Sequence, residues 1–165
     1  MKMKRPKTVL LLIVVFIWSF LKGTELLMRG TDTADRMVYD AVGLGWLVLS
    51  LVTIIALLDL AAVRYLIKPA PIGGVICLMA ILLSAVESSI GFLIARAHPD
   101  VARQAYIVSR QSRGLPVSER AINAAIDPTM SLLLWCGSLA ISGVLAYLVI
   151  RNQGYFGLST SRRTA

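Results

Sequence analysis

Apolar residues are concentrated in four long runs separated by shorter polar segments. The runs cover residues 8–28, 41–63, 72–95 and 129–150. Each run can cross the roughly 30 Å hydrocarbon core of a bilayer as a helix, which takes about 20 residues. None shows the strict apolar–polar alternation of a membrane β-barrel, and a helix satisfies its own backbone hydrogen bonds in lipid. The pattern predicts an all-α integral membrane protein with four transmembrane helices.

The segments between the runs predict an antiparallel four-helix bundle within a single domain that covers residues 1–165. Connection 1, before the second run, carries the Asp and Thr residues typical of a turn or a helix cap. Connection 2 contains Pro69 and Pro71, which are expected to end the second helix and to begin the third. Helices joined by connections this short are antiparallel neighbours.

Connection 3, residues 96–128, is the only sizeable segment predicted outside the bilayer. Pro99 indicates a helix start, Gly114 a stop, and Ser118 the cap of a second short helix. Two interpretations stay open: a pair of solvated surface helices, or an amphipathic extracytoplasmic pair that lies on the membrane or receives a partner. The candidate residues for a partner or lipid surface are Arg103, Tyr106, Arg110 and Arg113.

Composition and charge favour a membrane protein over other classes of protein. The chain is 57% hydrophobic with a mean hydropathy of +0.75 and a net charge of +8. No platform of interleaved aromatic and basic residues supports nucleic-acid binding, so the positive charge is assigned to topology and lipid contact. The side with both termini and connection 2 carries nine basic residues: Lys2, Lys4, Arg5, Lys7, Arg64, Lys68, Arg151, Arg162 and Arg163.

The opposite side carries seven basic residues: Arg29, Arg36, Arg96, Arg103, Arg110, Arg113 and Arg120. Basic residues ahead of the first span weigh most in setting orientation, so both termini are expected in the cytoplasm. The predicted location is therefore the cell inner (plasma) membrane, with connections 1 and 3 outside the cytoplasm.

A carboxylate, Glu87, interrupts the third run within the stretch SAVESSIGF. Small residues recur along that helix at spacings of three and four and predict a close-packing seam: Cys77, Ala80, Ser84, Ser88, Gly91 and Ala95. Because an unpaired charge in hydrocarbon costs at least about 2.5–3.5 kcal/mol, Glu87 is expected to face protein. Lys22 in the first run lies at a similar depth and is a candidate partner, with Lys22–Glu25 as the competing pair.

The predicted intramembrane polar cluster therefore contains Lys22, Glu25, Ser84, Glu87 and Ser88. One hypothesis makes Glu87 a structural clamp that fixes helix register, and the other makes it a proton or cation site. The clamp is favoured because a lysine is available to pair with it. A second acidic residue, Asp59, is expected near the cytoplasmic end of the second helix, in an interfacial ion pair with Arg64 or potentially with Lys7 or Lys68.

Catalytic chemistry has little support in the sequence. Cys77 and Cys136 belong to no CxxC motif and lie at different predicted depths, so they are expected to be free thiols. His98 is the only histidine, which excludes bis-histidine haem ligation within the chain and a histidine-rich metal site. No nucleophile elbow, phosphate loop or zinc-protease motif is present. We therefore expect no enzymatic activity, no cofactor and no resident metal.

The sequence favours a non-enzymatic accessory or assembly subunit of a larger membrane complex. Such a subunit would bind a membrane-protein partner, or a second copy of itself, through connection 3 or a lipid-facing helix surface. The alternative is a small transporter or channel subunit that uses Glu87 as a proton or cation site.

Overall fold

The computed structural model describes residues 6–29 and 34–157, which form helices and turns without any strand in these two ranges. The helices are α1 (Lys7–Arg29), α2 (Ala34–Asp40), α3 (Gly45–Ile67), α4 (Pro71–Ala97), α5 (Pro99–Ser112), α6 (Glu119–Ile126) and α7 (Pro128–Arg151). A 3-10 turn, Gln153–Phe156, follows α7. The four long helices α1, α3, α4 and α7 are each long and apolar enough to span a membrane. The predicted all-α membrane bundle is confirmed.

Three of the four predicted spans agree with the structure to within two residues, whereas the second lies four residues too early. Gly43 adopts a left-handed turn at φ 71° before α3, and only glycine accepts that conformation without strain. At the other end, Pro69 disfavours helical backbone in the residue before it. Lys68 is accordingly extended, at φ −121° and ψ 90°, and the helix continues to Ile67 instead of ending at residue 63.

Connection 1 also differs from its prediction, because part of it is helical. The expected turn or cap is the short helix α2, which packs against α3, α4 and α5. Its Tyr39 is almost fully buried, and the Tyr39 hydroxyl donates a hydrogen bond to the backbone carbonyl of Glu87 at 2.9 Å. The ring lies over Gly91, where a Cβ atom would be only 3.5 Å from the Tyr39 hydroxyl oxygen. A glycine on α4 therefore lets α2 dock closely.

The spanning helices pack in chain order, with α1 on α3, α3 on α4, and α4 on α7. Helices α3 and α4 each have two spanning neighbours, and they bury eight and five of their residues, respectively. Helix α7 buries only Val149. The long apolar sequence of α7 is thus explained by contact with lipid or with another protein.

One end of the bundle, here called the termini end, carries Lys7 and Phe156. The Thr8 hydroxyl donates to Asn152 Oδ1 at 3.2 Å and so joins α1 to the end of α7. The Tyr155 hydroxyl donates to the backbone carbonyl of Leu66 at 2.7 Å, and Phe156 is buried in the main apolar core beside α4. These contacts hold the segment after α7 against connection 2.

The opposite end, here called the connection end, is covered by α2, α5 and α6. The predicted start, stop and cap of connection 3 are confirmed: α5 begins at Pro99, Gly114 is left-handed at φ 66°, and Ser118 Oγ accepts from the Ala121 amide. Helix α5 packs on α2, and α6 packs on α5 and α7. Ala105 and Ile122 are buried between them. Connection 3 is therefore a cap packed on the end of the bundle.

Candidate functional site

The structure separates the predicted intramembrane cluster into two parts. Lys22 Nζ lies 3.6 Å from Glu25 Oε2, and the Lys22 ammonium lies 5.6 Å from the centre of the Trp18 ring. Both charged side chains are about half exposed on α1. The predicted Lys22–Glu87 pair is wrong, because α1 packs on α3 while Glu87 belongs to α4. The competing Lys22–Glu25 pair is the one that forms.

Glu87 lies beside a cavity of about 360 Å³ between α2 and α4, near the connection end. Ser88, Gly91 and Phe92 line the cavity from α4, and Tyr39 lines it from α2. The hydrogen bond from Tyr39 to the Glu87 carbonyl holds the backbone at this point. The prediction that Glu87 faces protein agrees with this position, since its side chain is half-buried.

Serine hydroxyls join α4 to α7, as the predicted seam of small residues requires. Ser88 Oγ lies 3.5 Å from Ser138 Oγ, and the Trp135 indole N–H donates to Ser89 Oγ at 3.1 Å. The Trp135 ring also stacks on Phe92, with ring centres 4.8 Å apart. Small and polar residues of this kind allow close helix contact in lipid, where the hydrophobic effect gives little drive for association.

A buried carboxylate occurs where the sequence predicted an interfacial one. Asp59 is only 1% exposed, and its Oδ2 atom has no hydrogen-bonding partner among the described residues. Ser19 on α1 is a hydrogen-bonding neighbour of the Asp59 carboxyl, and Cys77 on α4 is close enough for an electrostatic interaction with it. The expected ion pair with Arg64 is absent, since Asp59 faces the junction of three helices and Arg64 is exposed.

Two of the candidate surface residues of connection 3, Arg103 and Arg110, make side-chain hydrogen bonds within the connection, whereas the side chain of Arg113 makes none among the described residues. Arg103 Nη2 donates to Glu119 Oε2 at 2.6 Å and ties α5 to α6. Arg110 donates from Nε and Nη2 to the carbonyl of Pro116, and its guanidinium lies 5.9 Å from the centre of the Tyr106 ring. Arg113 is exposed. Arg103 and Arg110 thus hold the cap together.

Sequence reasoning missed a second cavity, of about 220 Å³, where α4, α5, α6 and α7 meet. Arg96 and Phe92 line it from α4, and Tyr106 lines it from α5. Arg96 was counted only as a topology charge. The sequence signal for a site was the position of Arg96, which lies between an apolar span and the helix start at Pro99.

The most open surface of the bundle lies on α7. Its exposed side carries the small residues Cys136, Ala140 and Gly143 at spacings of four and three, which place them on one face. A Cβ atom added at Gly143 would meet no atom within 4 Å. Cys77 and Cys136 are free thiols, as predicted, but only Cys77 is buried. Cys136 belongs to the open face.

Comparison with known proteins adds no family. No protein-family model matches the chain, and neither a curated protein nor a solved structure is significantly similar to it.

Proposed function

We propose that this protein is a non-enzymatic accessory subunit of a larger membrane complex, and that α7 binds a transmembrane helix of the partner protein. The observation that carries the proposal is the open face of α7, a spanning helix that buries only Val149 in its own chain. Cys136, Ala140 and Gly143 supply the small side chains that let a second backbone approach closely. In lipid, close approach and packing drive helix association.

A lipid-facing helix has no need of small residues on its outer surface, because lipid chains adapt to side chains of any size. The exposed arc of α7 nevertheless has large apolar residues on one flank, such as Leu134 and Ile141, while on the other flank the small residues lie between the larger Leu133 and Tyr147. The face with Gly143 is the one on which a helix fits. Contact there leaves the α4–α7 seam at Ser88 and Ser138 undisturbed.

Gly143→Leu should remove the partner without unfolding the subunit, because a Cβ atom added at residue 143 would meet no atom within 4 Å. Gly137→Leu is the matched control, since Gly137 also has no neighbouring atom within 4 Å. It lies six residues away, about 120° around the helix axis. The measurement is affinity purification from native membranes in mild detergent, with the partner quantified by mass spectrometry.

We expect a stoichiometric partner with the wild type and with Gly137→Leu, and at least about a tenfold loss with Gly143→Leu, which corresponds to about 1.4 kcal/mol. Equal recovery with both variants would refute the proposal, as would a wild type that purifies without any stoichiometric protein. If that solitary protein carries proton flux in reconstituted vesicles, and Glu87→Gln abolishes it, the transporter alternative replaces the accessory role.

The proposed setting is the inner membrane, with both termini in the cytoplasm. The support is the basic flank of the first span and the even number of spans. The basic residues Lys2, Lys4, Arg5, Arg162 and Arg163 lie outside the described residues, so their charge enters through the sequence only.

Ser112→Cys tests this orientation, because Ser112 is exposed at the end of α5. A membrane-impermeant maleimide should label the new cysteine in intact cells, while the wild type stays unlabelled. Labelling that appears only after permeabilisation would reverse the orientation.

A further inference from the structure

The cavity at the foot of the cap is built from four helices at the level where the bundle leaves the hydrocarbon. The last two turns of α4 supply Phe92 and Arg96, and the first turns of α5 and α7 supply Ala102 and Ser131. Arg96 lies four residues beyond Phe92, about 6 Å further along the helix axis. The cavity therefore has an apolar inner part and a cationic rim.

The guanidinium of Arg96 is available to a ligand. Among the described residues, no carboxylate makes an ion pair with Arg96. The nearest arginines on α5 are engaged, Arg103 with Glu119 and Arg110 with Pro116. The carboxylate of Asp127 is also engaged, since its Oδ1 accepts the amides of Thr129 and Met130.

The aromatic part of the cavity is held in place by contacts outside it. Phe92 stacks on Trp135, and the Trp135 indole is fixed by its hydrogen bond to Ser89. On the opposite wall, Tyr106 lies under the Arg110 guanidinium. These two rings form a preorganised apolar surface of the kind that lines small-molecule sites.

We propose that this cavity binds an anionic phospholipid from the leaflet at the connection end. The phosphate lies on Arg96 and the upper part of an acyl chain lies between Phe92 and Tyr106. An arginine fork matches phosphate geometry and gives charge-assisted hydrogen bonds. The cationic rim and the apolar inner part of the cavity are arranged like the parts of a phospholipid. The phosphate of the lipid lies at the interface, while its acyl chains enter the hydrocarbon. This site is independent of the partner face on α7.

The test uses the full chain, stripped of lipid in detergent and titrated with palmitoyl-oleoyl phosphatidylglycerol under native mass spectrometry. Arg96→Gln should weaken retention of the lipid at least about tenfold, the loss expected when a charge-assisted hydrogen bond is removed. Arg120→Gln is the matched control, because it removes the same charge from an exposed residue that does not line the cavity. It should retain the lipid like the wild type.

Ala102→Phe provides a second variant that keeps Arg96 and fills the space beside it. It should also lose the lipid, and a melting curve for each variant confirms that the bundle is folded. Equal retention by Arg96→Gln and Arg120→Gln would overturn the proposal. Inorganic phosphate at millimolar concentration should fail to displace the lipid; complete displacement would identify a simple anion site and overturn the lipid assignment.

Discussion

Gly73→Val should be among the most destabilising single substitutions in the chain. A Cβ atom at residue 73 would lie 2.7 Å from Tyr65 Cβ and 2.9 Å from Phe156 Cδ1. Tyr65 Cβ is attached directly to the α3 backbone, so the collision is relieved only by separating α3 from α4. Overpacking of this kind typically costs about 1–3 kcal/mol. The displacement of Phe156 also threatens the neighbouring hydrogen bond from Tyr155 to Leu66.

The measurement is the melting temperature of purified protein in detergent, followed by loss of the monodisperse peak in size-exclusion chromatography. Gly137→Val is the control, because it adds the same β-branched side chain to a helix interior where no atom lies within 4 Å. We expect a clear fall in melting temperature for Gly73→Val and little change for Gly137→Val. Indistinguishable melting temperatures would contradict the contact between connection 2 and the C-terminal turn.

Asp59→Leu should have the opposite effect and stabilise the bundle. Leucine has the same heavy-atom branching as aspartate, so it fills the same space without the unpartnered oxygen. Removing a buried polar atom that lacks a partner relieves a desolvation cost of about 1–3 kcal/mol. The Ser19 hydroxyl, which would lose a neighbour, can donate to a backbone carbonyl of its own helix instead.

The free energy of unfolding is measured by titration with a denaturing detergent, with Asp59→Asn as the control. Asparagine keeps the shape and a polar group at the same position, so its gain should be much smaller than that of leucine. A loss of stability in Asp59→Leu would show that the carboxyl makes contacts more favourable than its surroundings indicate. A stabilised variant that no longer supports the partner complex would mark Asp59 as a polar residue retained for function.

The hydrophobic pattern was sufficient to predict the four spans, because lipid imposes a minimum length on any helix that crosses it. It was insufficient at the ends of the second span. Apolar residues 41–44 continue the run in sequence, yet Gly43 takes a left-handed turn there and α3 begins at Gly45. Hydropathy cannot detect this turn, since it arises from backbone conformation. The short helix α2 was missed because its segment is rich in Asp and Thr residues, which are typical of turns and caps.

That error of four residues also misplaced Asp59. A helix that ends at Ile67 puts Asp59 eight residues from its end, about 6 Å deeper than a helix that ends at residue 63. At the shallower depth an ion pair with an interfacial arginine is reasonable. At the true depth the carboxyl lies among three helices.

The predicted polar cluster was wrong in part for a different reason. Residue numbers along two spans give the depth of Lys22 and Glu87, and the two depths are similar. They do not give the lateral order of the helices, which decides whether two side chains at one depth can touch. Here α3 lies between α1 and α4, so Lys22 pairs within its own helix. The predicted seam of small residues on α4 was more informative, because Ser88 lies against Ser138 of α7 and Gly91 lies against Tyr39 of α2.

The hydrogen bond from Tyr155 to Leu66 joins residues 89 positions apart and has a consequence for biosynthesis. While the ribosome is still translating α7, the hairpin of α3 and α4 is already in the membrane without Tyr155 and Phe156 against its turn. The nascent chain must therefore pass through an intermediate in which the Leu66 carbonyl and the surface of Gly73 are open to lipid headgroups and water. Membrane quality-control proteases that sample unfinished chains would encounter this hairpin before release, and the 3-10 turn after α7 closes it.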